Sequence, residues 1–158
     1  MPHVTLAADT NQALGLAQYA IDFMASAAPD QAVLDRTNLF FTDACLCGLS
    51  ALALGTNAPV LLRQEAAHYP TPPAGFGTLA GVPWAKGCLR TGVPTFGSSQ
   101  DVQVEKAIVA NCSAVREWDS NGTNFGFNPS LGHIAGEFGH NDFYAVPLAA
   151  AQLRGKDG

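Results

Sequence analysis

The sequence predicts a mainly α-helical fold, broken by two long loops rich in glycine and proline, with at most one short β-hairpin. Three observations carry this expectation. Apolar residues recur at steps of three and four through residues 10–27, 30–55 and 101–118, the period of a helix with one buried side. Between them, residues 69–98 hold five of the ten prolines and six of the sixteen glycines, so neither a long helix nor an uninterrupted strand ladder can run there. The composition, 47% hydrophobic and 13% charged, belongs to a folded chain rather than a disordered one.

Each element has its own local reason. Leu14, Ala17, Ile21 and Met24 share one helical face, and Asp9 and Thr10 before them can cap the orphan amides of a first turn, which predicts a helix over 10–27. Asp30 opens a second helix whose apolar positions, among them Leu34, Leu39, Phe41, Leu46 and Leu49, cover most of its circumference up to Gly55. A helix apolar all round is a buried one. Residues 59–68 predict a short third helix, and residues 93–96 the hairpin. At Ser98-Ser99-Gln100-Asp101 a hydroxyl stands three residues before a carboxylate, the pattern of a capping box. Val104, Ile108, Cys112 and Val115 then define the buried face of a helix over 101–118, and Asp119 falls on the same face. A second glycine-rich stretch, residues 120–141, leads to a final helix over 142–153.

Charge and hydropathy exclude several classes of partner. Eight Lys and Arg against thirteen Asp and Glu give a net charge of -5, and the basic residues are scattered. A phosphate backbone needs them clustered, so no nucleic-acid partner is expected. The longest apolar run, residues 44–55, is too short to cross a membrane as a helix, and the first residues lack the basic stretch and apolar core of a secretion signal. The expected setting is the cytoplasm, with no membrane partner. Cys45, Cys47, Cys88 and Cys112 form no CxxC pair and read as reduced thiols in apolar surroundings. With 158 residues and a mean hydropathy of +0.10, the chain has more apolar surface than a lone domain of this size hides. A homo-oligomer such as a dimer, or association with further chain, is therefore expected.

Two places could carry chemistry. Asp119 follows Arg116-Glu117-Trp118 at the predicted end of a helix, where the negative end of the macrodipole and the neighbouring indole both disfavour its charged form. A carboxylate poised that way is a usable proton acceptor or donor, although a helix-ending Asp can equally serve to cap local amides. His133, Glu137 and His140, with Asp142 nearby, have a spacing that would share a helical face, but Gly132, Gly136 and Gly139 oppose a stable helix there and no HExxH is present. No metal is expected. His140 alone, just before the final helix, is the better candidate, since adjacent amides suit an anionic substrate. Dinucleotide and P-loop fingerprints and a GxSxG elbow are absent from the sequence.

The run FGSSQDVQVEKAIVANCSAVREWDSNGTN over residues 96–124, followed by GHNDFYAVPLAAAQ over 139–152, resembles the MmgE/PrpD family, which includes 2-methylcitrate dehydratase, cis-aconitate decarboxylase and iminodisuccinate epimerase. Asp119 and Thr123 match the family's Asp and Thr, and His140 matches the histidine opening its next helix. Asn141-Asp142 stand where Pro-Ser is usual. The resemblance implies that residues 1–158 are the N-terminal portion of the family's helical domain, without its lid. It also implies a cofactor-independent lyase or isomerase, a hydro-lyase foremost, acting on a small di- or tricarboxylate. Asp119 and His140 would be its catalytic acid and base, and Thr123 would bind substrate. The alternative is a catalytically silent helical assembly module.

Overall fold

Asn11 sets the start of the first helix by accepting a hydrogen bond from the Leu14 amide through Oδ1 at 3.1 Å. In the computed structural model, which describes residues 11–71, 90–118, 130, 132 and 140–156, this helix is α1, Gln12–Ser26. The cap is thus Asn11 rather than Asp9 or Thr10. The chain divides into two compact units, Met1–Arg36 and Thr37–Gly158, the division falling within α2, Gln31–Ala53.

The end of α2 is specified by Gly55 in a left-handed conformation, φ 69°. The Thr56 amide reaches the Ala51 carbonyl at 3.1 Å and the Gly55 amide reaches Leu52 at 3.2 Å, the paired bonds of a Schellman motif. Thr56 also donates its hydroxyl to Ala51 at 3.1 Å. The backbone then starts α3, Asn57–Ala67, with Pro59 in its first turn, where a missing amide costs nothing. No single helix among the described residues is long and apolar enough to cross a membrane; α2 and α3 reach that composition only jointly, across an 89° bend.

The hairpin is real and smaller than a ladder. Strand β1, Val93–Pro94, pairs antiparallel with β2, Asp101–Val102, with Val93 opposite Val102. Gly92 lies where Thr71 and the Val102 carbonyl leave no room, since a Cβ there would stand 1.9 Å from Thr71 Cγ2. Ser98 and Asp101 do not form the expected capping box. Ser98 Oγ instead accepts from the Gln100 amide at 3.1 Å, closing the turn, while Asp101 sits in β2 and accepts from Arg90 Nε and Nη2. Helix α4 therefore begins later, at Val104, and runs to Arg116. A short 3-10 helix, His140–Phe143, leads into α5, Ala145–Leu153. A second Schellman motif closes α5, with Gly155 at φ 58° and the Lys156 amide on Ala151 at 2.9 Å.

The core lies where α3 and α5 meet α4 and the hairpin. It is built from Ala66, Val93, Val102, Ala107, Ala110 and Ala149, closed by Leu153. Alanines let helix backbones approach closely, so the buried face of α4 is Ala107, Ala110, Asn111, Ala114 and Val115, whereas Val104, Ile108 and Cys112 are only half-buried. The expected face was rotated toward the larger side chains, which sit at its margins. Asn111 is the one carboxamide buried on this face, and both its ends are used: Oδ1 accepts from the Phe96 amide at 2.8 Å and Nδ2 donates to the Pro94 carbonyl at 3.4 Å.

Helix α2 departs most from expectation. Only Ala44, Gly48 and Ala51 are buried, one stripe at steps of four and three, and the Phe96 ring packs onto Gly48, 3.0 Å from where a Cβ would stand. Leu39, Leu46 and Leu49 are exposed. The apolar circumference of this helix is therefore not a sign of burial within the chain.

Candidate functional site

The C-terminal turn of α4 meets the 3-10 helix, and the contact is ionic. Arg116 Nε lies 3.4 Å from Asp142 Oδ2; the arginine side chain is 53% exposed and the aspartate only 15%. An exposed pair of this kind contributes little to stability, but a mostly covered carboxylate beside a guanidinium has a fixed orientation. One turn earlier on α4, Cys112 turns to the same corner. Burial pushes its thiol up first, the Asp142 charge adds to that, and the Ala145 amide works against both. Tyr144, just after the 3-10 helix, sets its ring edge-on to Phe41 of α2 with centroids 6.0 Å apart, and burial pushes its hydroxyl up. The corner thus joins a guanidinium, a carboxylate and a thiol where α4 meets the start of α5. Its guanidinium can donate to a polar group and its carboxylate can accept from one.

Of the candidate residues expected from the sequence, only His140 lies within the described residues. His140 is the first residue of the 3-10 helix, two residues before Asp142. Asp119 and Thr123 lie outside the described residues, as do His133 and Glu137. Among the described residues no group of three His, Cys, Asp or Glu could hold a metal ion. Helix α4 stops at Arg116, two residues short of expectation, with Glu117 as its C-cap. Cys45, Cys47 and Cys112 carry reduced thiols that are half-buried, and burial pushes Cys45 up as well.

Sequence reasoning missed two features. Arg116, which reads equally as a surface charge, is the partner that ties α4 to the 3-10 helix. The second is a half-open cavity of about 260 Å³ between α3 and the hairpin turn, bordered by Arg63, Gln64, Thr95, Ser98 and Gln100 with Val102 among its apolar walls. A signal for Arg63 does exist: in α3 neither Val60, Ala66 nor Ala67, the helical neighbours three and four residues away, can pair with its charge.

Comparison of the chain with protein-family models, with curated proteins and with solved structures finds no match, and nothing in those comparisons identifies the MmgE/PrpD family.

Proposed function

We propose that the chain belongs to a cofactor-independent lyase or isomerase resembling 2-methylcitrate dehydratase, acting on a small di- or tricarboxylate. In this reading Asp119 takes a proton from the carbon next to a carboxylate, or returns one, and His140 handles the proton of the departing group. Thr123 hydrogen-bonds the substrate. The observation that supports it is the Arg116–Asp142 contact, because it fastens together the two segments from which Asp119 and His140 come. Residues that must act on one substrate need such a tie, since proton transfer demands heavy-atom distances near hydrogen-bond range. The covered Asp142 carboxylate and its guanidinium add polarity of both signs to the same corner.

The test is proton exchange. With the protein in deuterated buffer, citrate, 2-methylcitrate and cis-aconitate are followed by NMR, and exchange of the carbon-bound proton adjacent to a carboxylate is expected for at least one of them. Exchange should vanish in Asp119→Asn. If none of the three exchanges above the protein-free rate, or Asp119→Asn exchanges as fast as the unaltered protein, the reading fails.

A further inference from the structure

The cavity between α3 and the hairpin turn has a donor set that is only partly engaged by the fold. Arg63 Nη2 donates to the Gly97 carbonyl at 2.8 Å, which fixes the plane of the guanidinium while engaging one of its five N–H groups. Gly97 is left-handed at φ 70°, and the Arg63 guanidinium fills the space beside it, with Nη2 3.5 Å from where a Cβ would stand. The Ser98 hydroxyl accepts from the Gln100 amide, so its own proton is left to donate. Two carboxamides, Gln64 and Gln100, supply further N–H groups, and among the described residues no carboxylate borders the cavity. The acidic residues nearest in sequence are committed elsewhere, Glu65 to Lys106 and Asp101 to Arg90.

We propose that this cavity binds a small oxyanion, held by the Arg63 guanidinium and completed by the Ser98 hydroxyl and the glutamine amides. A planar fork whose orientation is already set by a backbone carbonyl loses little freedom when a second planar group docks on it. The volume of about 260 Å³ lies below the range of sites for drug-sized ligands, so the occupant is a compact anion and not a nucleotide. Carboxylate and phosphate share the geometry that a guanidinium recognises. The proposal does not rest on the proton-transfer reading, since its donors come from α3 and the hairpin turn.

Calorimetric or amide-shift titrations of the full chain with malonate, citrate and inorganic phosphate, at constant ionic strength in sodium chloride, test this. Saturable binding of at least one anion is expected, with the amides of Gly97, Ser98 and Gln100 moving most. Binding of malonate or citrate but not phosphate marks the occupant as a carboxylate, and the reverse marks it as a phosphate. Arg63→Gln should weaken binding at least tenfold. So should Gln64→Glu, which adds a carboxylate at an exposed helical position and leaves packing alone. Non-saturating shifts spread over all basic residues, or equal affinity in the folded Gln64→Glu variant, would overturn the proposal.

Discussion

Asn111 carries more of the fold than its size suggests, because it is a buried carboxamide that serves two backbone groups of the hairpin. Replacing it with leucine keeps the branched shape and orphans the Phe96 amide, at a cost of about 1–3 kcal/mol that chemical denaturation would read directly. A change below the error of that measurement would mean that water replaces the side chain. At Gly92 the limit is space: an alanine methyl would overlap Thr71 and the Val102 carbonyl, so Gly92→Ala should push the Thr71 segment and β2 away from the start of β1 and lower the melting temperature by several degrees. The proposed catalytic residues predict the opposite profile. Asp119→Asn and His140→Ala should each lower turnover by about 10² to 10⁴, with stability changed by no more than about 1 kcal/mol. His140→Ala with undiminished turnover, or Asp119→Asn that unfolds, would return that residue to a purely local role. Cys45 and Cys112 give a pH prediction. Burial raises both, so at neutral pH less of each is thiolate than in a free cysteine. Site-resolved alkylation should accelerate with pH through a midpoint above that of a model thiol, and a midpoint below it would contradict the burial.

At the scale of the element, what was legible follows from how local each signal is. Helices α1, α3 and α4 and the hairpin are written in short-range terms, apolar steps of three and four and the prolines that interrupt them, and all are present within a few residues of expectation. The caps were less legible. Ser98 and Asp101 satisfy a helix-start pattern, yet the pairing of Val93 with Val102 draws Asp101 into a strand, a long-range contact that no local pattern contains. Apolar size also misled: on α4 the eye goes to Val104, Ile108 and Cys112, whereas close helix packing selects Ala107, Ala110 and Ala114. For the candidate site, Arg116 could be seen but its partner could not, since Asp142 is brought to it only by the meeting of α4 with the 3-10 helix. The Schellman ends are testable in the same terms. Gly55→Ala puts a Cβ into a left-handed backbone and should cost about 1–2 kcal/mol, with the loss seen as earlier hydrogen exchange at the Thr56 amide, whose partner is Ala51. Open space surrounds that Cβ, so the cost is conformational, not steric.

Among the described residues, the core is alanine-rich and small while large apolar side chains stand outside it. The largest side chains with essentially no exposure are Val93, Val115 and Pro59, whereas Leu39, Leu46, Leu49, Leu54, Phe143 and Val146 are all exposed. Single exposed leucines are ordinary on a soluble surface; several on one helix, with a chain whose charged residues amount to 13%, are not. Each such side chain, once fully covered, contributes about 1.5–3 kcal/mol, and a two-fold interface covers it on both copies, so three per copy are enough to offset an association cost of about 4–15 kcal/mol. The chain is therefore expected to self-associate. Light scattering should give a mass above the 16.4 kDa of one copy, rising with concentration, together with binding of an apolar dye that weakens as the assembly forms. Leu46→Lys, at a position 60% exposed, should shift that equilibrium toward single copies without lowering their melting temperature, because the side chain touches solvent and not the core. A sharp 16.4 kDa species at every concentration, with no dye bound, would instead show that these side chains stay solvated at no consequence for assembly.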